Sequence, residues 1–290
     1  MDVQTFLIQV LNSVQYGLLL FLVASGLTLI FGIMGVINLA HGSFYMLGAY
    51  AAFVLSGLTG SLFGAIALGV PLAVAFGYLL EWVFFSFLYR RDHLQQVLLT
   101  YGLILVFEEL RSFAVGDDVH GVPVPAALSA SIPLGSTMSY PVYNLFISGA
   151  CLVVAALLFA LLRRTRLGMM IRAGASNREM TRSLGINVNF VFRVVFALGV
   201  ALAAFAGMVN APASSVYPGM GNQVLIVCFV VVVIGGIGSV SGALVAALLI
   251  GVIDTFGKVF LPDYSGMLVY LLMAVILVWR PEGLFRQRAV

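Results

Sequence analysis

The sequence predicts an all-α polytopic membrane protein that forms one domain over residues 1–290. Three observations predict this class. Hydrophobic residues make up 62% of the chain and charged residues only 9%, whereas soluble domains carry about 25% charged residues. The mean hydropathy is +1.13. Apolar runs of bilayer-crossing length follow one another along the chain, so few residues remain for a soluble domain.

The predicted helices correspond to nine apolar runs. In chain order they are 6–37, 42–58, 62–89, 94–115, 142–162, 190–211, 223–234, 242–256 and 267–279. A helix crosses a bilayer with about 20 residues. The first run is too long for one straight span, and the two runs that flank Gly235 are short enough to be half-helices. We therefore predict eight or nine hydrophobic segments, with helices broken at glycines.

The basic residues are concentrated in three groups. Twelve of the 14 lie at 90–91, 163–193 and 280–288. Cytoplasmic loops of membrane proteins are enriched in Lys and Arg, so these groups are predicted to be cytoplasmic. Residues 116–140 carry no Lys or Arg and are predicted to lie outside. An odd number of spans places the N-terminus outside and the C-terminus in the cytoplasm. The net charge of +3 therefore reflects topology and does not indicate a nucleic-acid partner.

Residues 163–189 form a long polar segment that contains six of the 14 basic residues. Ser176 followed three residues later by Glu179 is a capping box, in which each side chain accepts a hydrogen bond from the other residue's backbone N–H. Gly185 stands where a helix C-cap glycine is expected. The segment is therefore predicted to contain a short helix over 177–184.

The predicted short helix has two distinct faces. Met180 and Leu184 are four residues apart and share one face, and Arg178 and Arg182 share another. A helix of two turns is not stable alone in water, so we expect the apolar face to dock on a partner. The alternative is a solvated loop whose Met180 and Leu184 pack against the chain's own helices.

Two apolar segments, at Gly32–Gly35 and at Gly235–Gly238, are interrupted by glycines. Paired, glycine-broken segments in the two halves of a transporter indicate an internal repeat with the substrate pathway at the break. A break frees backbone groups, which are tolerated inside a membrane only where they face protein or a water-filled cavity. We therefore expect both segments to line a pathway near the midplane, and Gly236→Val to block this pathway without disturbing assembly. The alternative is that these glycines only let helices pack closely.

Ionisable residues within apolar runs are candidates for function. Glu81 lies nine residues before Arg90 and is interpreted as a structural ion-pair or capping partner. Asp254 and Lys258 are four residues apart and can pair on one helix. None of these residues forms a metal cluster or a nucleophile–base pair.

An ATP-binding phosphate loop is also excluded. The stretch 251–258 has five residues between its glycines and no Ser or Thr after Lys258, whereas the phosphate-loop pattern needs four residues and a Ser or Thr. The chain is therefore predicted to be neither an enzyme nor an ATPase, and to bind no cofactor itself.

Four stretches, in order along almost the whole chain, resemble the branched-chain amino-acid ABC importer permeases of the Liv type. They are 26–50 (GLTLIFGIMGVINLAHGSFYMLGAY), the polar segment 163–187, 229–243 (FVVVVIGGIGSVSGA) and 280–285 (RPEGLF). The resemblance implies a bacterial inner-membrane permease that pairs with a second, related permease. It also implies two cytoplasmic ATPase subunits, which hold ATP and Mg, and a periplasmic substrate-binding protein.

The resemblance leaves the substrate open, because urea and short-chain amide permeases share these signatures. From the residues alone, an ion-coupled secondary transporter and a membrane-embedded enzyme are the other classes. The first would show a buried carboxylate or His relay at the membrane centre, and the second a catalytic constellation. Neither pattern is present in the sequence.

The resemblance and the local patterns together predict three groups of site residues. The ATPase-coupling residues are Gly168, Arg172, Asn177, Arg178, Glu179, Met180, Arg182, Leu184 and Gly185. The residues that line the translocation pathway are Gly32, Gly35, Asn38, His41, Gly235, Gly236, Gly238, Ser239 and Ser241. The residues of the outer loop that dock the binding protein are Asp117, Asp118 and His120.

Overall fold

The computed structural model describes residues 3–133 and 138–285, without the side chain of Arg90. Within these residues the chain is almost entirely helical. The α-helices are α1 (Val3–Met34), α2 (His41–Thr59), α3 (Leu62–Val83), α4 (His93–Val115), α5 (Val142–Arg164), α6 (Arg166–Ser176), α7 (Arg178–Ser183), α8 (Val188–Asn210), α9 (Met220–Gly235), α10 (Val240–Phe260) and α11 (Ser265–Trp279). Short 3₁₀ helices occupy Phe85–Arg90, Ala126–Leu128 and Pro262–Tyr264. Two short strands, β1 (Ser131–Pro133) and β2 (Ser139–Pro141), pair antiparallel.

Among the described residues, seven helical stretches are long and apolar enough to cross a membrane, so the chain is a multi-pass membrane protein. They are α1, α2, α3, α5, α8, α10 and the stretch Pro262–Trp279 that includes α11. The count is therefore slightly lower than the expected eight or nine segments. Two further apolar helices are not among the seven: α9 has only 16 residues, and α4 carries Glu108, Glu109 and Arg111 near its end.

Helix α1 is the centre of the bundle and packs along α10, α8, α9 and α5. Its residues from Gly17 to Ile30 are buried without interruption. Gly32 shows why small residues are needed on this helix, because a Cβ built there would lie only 2.5 Å from the Cα of Gly238. Such close backbone approach is the usual basis of helix packing in membranes. Gly32 therefore fits the alternative in which the glycines let helices pack closely.

The bundle has two ends with different composition. We call the end that carries α6 and α7 the basic end, and the end that carries residues 116–141 the opposite end. Helix α1 connects them: Gln15 accepts a hydrogen bond from Tyr140 at 3.3 Å near one end, and Met34 accepts one from Arg178 at 2.9 Å near the other. The β1–β2 hairpin lies in the connection between α4 and α5, where the sequence predicted no strand.

The two glycine-interrupted segments are helix C-termini. Helix α1 ends at Met34, and Gly35 follows with φ +66°. Helix α9 ends at Gly235, and Gly236 follows with φ +92°. The first terminus adjoins α7 at the basic end. The position of both breaks near the membrane midplane stays a prediction. The internal repeat stays a prediction.

Candidate functional site

Helix α7 is shorter than predicted and is capped by a different residue. It covers Arg178–Ser183, and the side chain of Asn177 accepts a hydrogen bond from the N–H of Met180 at 2.9 Å. Ser176 is instead the last residue of α6, so it is not the cap that the sequence predicted. The backbone of Asn177 is extended, with φ −151° and ψ 104°, which is the conformation that an N-cap requires.

The apolar face of α7 points away from the bundle. Met180 is 63% exposed and Leu184 is 71% exposed. Gly185 ends the helix with φ +83°, as its position in the sequence predicted. Because both apolar side chains are exposed, they do not pack against the chain's own helices. Docking of this face on a partner stays a prediction.

Arg178 points into the bundle, although the sequence grouped it with the residues that contact the ATPase. Its guanidinium donates hydrogen bonds to the carbonyl oxygens of Met34 at 2.9 Å and Ile33 at 3.4 Å. It also lies over the ring of Phe192, 4.6 Å from the centroid. Burial, and to a smaller extent Arg182, lowers the pKa of Arg178 below its ordinary value. The side chain therefore joins α7 directly to the end of α1.

The remaining predicted coupling residues have local contacts within or next to the α5–α6–α7 segment. Gly168 lies in the first turn of α6, where a Cβ would be 2.3 Å from the carbonyl oxygen of Leu162. Arg172 donates a hydrogen bond to the same carbonyl. Arg182 donates one to Asn189 at 3.2 Å. Glu179 lies in the first turn of α7, where a carboxylate is favourable for the helix dipole.

A cavity of about 330 Å³ lies at the basic end, between α1, α5, α6 and α10. We call it the basic-end cavity. Four of the predicted pathway residues line it, namely Gly32, Gly238, Ser239 and Ser241. Ser239 also caps α10 by accepting a hydrogen bond from the N–H of Gly242 at 3.0 Å. The structure thus brings together residues from both glycine segments, which are 200 positions apart in the sequence.

Asn38 and His41 lie outside this cavity and hold the connection between α1 and α2. The Oδ1 of Asn38 accepts a hydrogen bond from the N–H of Ala40 at 3.0 Å. The Nε2 of His41 lies 2.9 Å from the carbonyl oxygen of Val23. Both side chains are fully buried. These contacts stabilise the turn between the two helices, and a role of either residue in the pathway stays a prediction.

The other predicted pathway glycines have packing or turn positions. A Cβ on Gly235 would lie 2.6 Å from the carbonyl carbon of Gly242. A Cβ on Gly236 would lie 2.6 Å from the carbonyl oxygen of Phe285. Gly35 has open space around it among the described residues. None of these three lines the basic-end cavity.

A second polar space, which the sequence analysis missed, lies between α1 and α10 toward the opposite end. We call it the opposite-end cleft, and its volume is about 350 Å³. Lys258 and Asp254 form an ion pair there at 2.6 Å, as their spacing predicted. The polar residues that line it are Gln9, Asn12, Gln15, Tyr16, Asn210, Asp254, Thr255 and Lys258. The available signal in the sequence was the helical spacing i, i+3 and i+7 of Gln9, Asn12 and Tyr16, which places them on one face of α1.

The predicted docking residues of the outer loop differ in accessibility. Asp117 forms an ion pair with Arg111 at 2.9 Å, and its side chain is 71% exposed. Hydrogen bonds from Ser112 and then from Arg111 lower the pKa of the Asp117 carboxyl below its ordinary value. Asp118 is exposed. His120 stacks on Phe53 with ring centroids 4.2 Å apart, so it contributes to packing.

Glu81 forms the structural ion pair that the sequence predicted. It is buried, and its carboxylate accepts a hydrogen bond from Arg193 at 3.2 Å and another from the hydroxyl of Tyr89. Because the carboxylate is paired on both sides, it does not have the open geometry of an ion-relay site.

Comparisons with known proteins agree with the multi-pass helical fold. Residues 9–277 match the family described as "Branched-chain amino acid transport system / permease component". The chain is 30% identical to the high-affinity branched-chain amino acid transport system permease protein BraD of Pseudomonas aeruginosa, over 98% of this chain and 96% of that protein. It is 29% identical to the corresponding protein LivH of Salmonella typhimurium, over 96% and 95% of the two chains.

A more distant similarity extends to a second kind of permease protein. The chain is 27% identical to the high-affinity branched-chain amino acid transport system permease protein LivM of Escherichia coli, over 89% of this chain and 66% of that protein. No solved structure matched the chain.

Proposed function

The chain belongs to the family of permease components of branched-chain amino acid transport systems, and on that premise we propose that it is a membrane-spanning subunit of an ATP-binding-cassette importer. The substrates would be branched-chain or other hydrophobic amino acids, moved from the periplasm to the cytoplasm. Escherichia coli has both a LivH and a LivM protein, each named as a permease of such a system. The similarity to both indicates that this chain has a second, related permease as its partner.

The observation that carries the proposal is the exposed apolar face of α7. Met180 and Leu184 project from a highly charged segment, and two exposed apolar side chains on so short a helix favour a partner protein. We assign this face to one of two cytoplasmic ATPase subunits, which hold ATP and Mg. The permease itself then supplies no ATPase site and no catalysis.

The proposed orientation places the basic end in the cytoplasm of a bacterium and the opposite end in the periplasm. Seven arginines of the segment 163–193 lie on the basic end, in agreement with the positive-inside rule. The first residues of α1 are then periplasmic. Asp117 and Asp118 face the periplasmic binding protein, and α11 returns the chain to the cytoplasm.

The substrate route that we propose uses the two polar spaces in turn. In the opposite-end cleft, Lys258 and Asp254 offer a cation and an anion to the carboxylate and ammonium groups of an amino acid. In the basic-end cavity, the hydroxyls of Ser239 and Ser241 offer neutral hydrogen-bonding groups. Motion of the ATPases reaches this cavity through Arg178, which joins α7 to the end of α1.

The coupling role is tested by placing charge in the α7 face. In the double variant Met180→Glu, Leu184→Glu, docking would bury unpaired carboxylates, which costs several kcal/mol. We expect loss of ATPase co-purification and loss of leucine uptake. The matched control is Met180→Leu, Leu184→Met, which keeps the face apolar and retains both properties. Normal co-purification and uptake in the Glu variant would refute the proposal.

The orientation is tested by cysteine labelling in intact cells. Cys151 and Cys228 are buried, so a cysteine at Asp118 gives the signal of a membrane-impermeant thiol reagent. We expect labelling of Asp118→Cys in intact cells, and labelling of the control Ser183→Cys on α7 only after lysis. The reverse pattern would invert the proposed topology.

A further inference from the structure

A third cavity, of about 480 Å³, opens at the basic end beside α7. We call it the arginine cavity. It lies between α7, the start of α8 and the 3₁₀ helix Phe85–Arg90, and it shares no lining residue with the basic-end cavity. Its lining residues are Ser86, Phe87, Tyr89, Arg91, Arg178, Arg182 and Asn189.

The cavity collects positive charge that no carboxylate of the described chain neutralises. Three arginines, Arg91, Arg178 and Arg182, line it. None of them takes part in the four ion pairs found within residues 3–133 and 138–285. Glu81, which Tyr89 contacts, is already paired with Arg193. Three guanidinium groups that line one cavity repel one another, so the cavity favours an anion.

Exposed apolar residues lie within and next to the chain segment that lines this cavity. Phe87, which lines the cavity, is 72% exposed. Trp82, near the end of α3, is 55% exposed, and Leu94, at the start of α4, is 70% exposed. In a membrane protein such side chains contact lipid, and tryptophan is typical of the level of the headgroups. The arginines therefore lie where a lipid-facing surface meets a basic pocket.

We propose that the arginine cavity binds the phosphate headgroup of an anionic phospholipid. Arg91 and Arg182 are the main ligands, through charge-assisted hydrogen bonds to phosphate oxygens, and the side-chain amide of Asn189 donates a further hydrogen bond. Arg178 keeps its hydrogen bonds to the end of α1 and adds positive charge. The acyl chains lie against Phe87 and the exposed apolar residues near it.

The position of the site has a consequence for α7. Arg182 belongs to α7, and Arg91 belongs to the connection between α3 and α4. A phosphate held between them joins the short helix to the rim of the bundle. Basic pockets on the cytoplasmic side of membrane proteins recognise anionic headgroups in this way, and the inference adds a lipid ligand to the proposed transport function without depending on the substrate.

The experiment compares two double variants that each remove two charges from the same end. Arg91→Gln, Arg182→Gln removes the proposed ligands, and Arg164→Gln, Arg166→Gln removes two exposed arginines outside the cavity. The full chain is purified with its partner subunits in detergent. Retention of phosphatidylglycerol is measured by mass spectrometry, and thermal unfolding is measured during titration with phosphatidylglycerol, phosphatidylcholine or inorganic phosphate.

We expect the wild type and the Arg164/Arg166 variant to retain phosphatidylglycerol and to be stabilised by it. The Arg91/Arg182 variant should bind it about tenfold more weakly, while its unfolding in phosphatidylcholine is unchanged. Phosphatidylcholine should not replace phosphatidylglycerol as a stabilising ligand of any of the three proteins.

Three outcomes would overturn the proposal. An equal loss of phosphatidylglycerol binding in both double variants would show that only the total charge of this end matters. Stabilisation by inorganic phosphate as strong as by phosphatidylglycerol would assign the cavity to a free anion. Unchanged lipid binding with loss of ATPase co-purification in the Arg91/Arg182 variant would assign the arginines to an acidic surface of the ATPase.

Discussion

The ends of α1 and α9 have the same kind of sequence but different structural partners. Each helix is followed by a glycine with positive φ, Gly35 in one case and Gly236 in the other. The last carbonyls of a helix need hydrogen-bond donors from outside it. At the end of α1 the donor is the side chain of Arg178 from α7. At the end of α9 the donors are the backbone N–H groups of Leu284 and Phe285.

This difference indicates which end responds to α7. The α1 end is held by one side chain from a helix of 6 residues, and a Cβ at Gly35 would find open space among the described residues. The α9 end is covered by the chain's own C-terminal turn, with N–H···O distances of 2.8 and 3.3 Å. We infer that the α1 end is the adjustable one and the α9 end is a fixed part of the fold. Three substitutions test this comparison.

Gly236→Val is expected to have the largest effect. A β-branched residue is strained at φ +92°, and its Cβ would lie 2.6 Å from the carbonyl oxygen of Phe285. Backbone strain and overpacking together cost roughly 3 kcal/mol or more. We expect lower membrane abundance and a lower unfolding temperature, which corrects the expectation from sequence that assembly would be undisturbed. Normal membrane abundance with abolished uptake would instead support the prediction that Gly236 lines the pathway.

Arg178→Met is expected to have an intermediate effect. It leaves the carbonyls of Ile33 and Met34 without their donor, which costs about 1–3 kcal/mol, and it disconnects α7 from α1. We expect lower leucine uptake, with ATP hydrolysis no longer dependent on substrate, while the ATPase still co-purifies. Arg178→Lys keeps the charge but not the planar fork, so it should restore activity only in part. Loss of the ATPase from both variants would instead make Arg178 a docking residue.

Gly35→Ala is expected to have the smallest effect. The left-handed conformation at φ +66° costs a residue with a Cβ roughly 1 kcal/mol, and no described atom lies within 4 Å of that Cβ. We expect normal abundance and a small fall in unfolding temperature. Asparagine tolerates this conformation better than alanine, so the unfolding temperature of the Gly35→Asn variant should fall less. An effect as large as that of Gly236→Val would show that another subunit covers Gly35.

Local features were predictable because they depend on residues close together in the chain. The ion pair between Asp254 and Lys258 follows from a spacing of four on a helix, and the glycine at 185 follows from the geometry of helix ends. The capping residue of α7 was misassigned because Ser176 and Asn177 are both good caps. Only the extension of α6 through Ser176 decides between them.

The amino-acid sequence by itself determined the class of this protein. A chain with 62% hydrophobic residues has to place its apolar side chains in lipid, and its backbone groups then have to pair within helices. The positions of the apolar runs and the short helix α7 follow from the same local chemistry.

Only the tertiary structure decided which of these features meet. Arg178 and Arg182 share one face of α7 and both line the arginine cavity. Only Arg178 also binds a carbonyl 144 positions away, whereas Arg182 donates its hydrogen bond to Asn189 on α8. Gly32 contacts Gly238 because α1 and α10 pack along each other. Such contacts depend on how complete helices fit together, and this fit is set by the packing of many side chains at once, not by any local pattern.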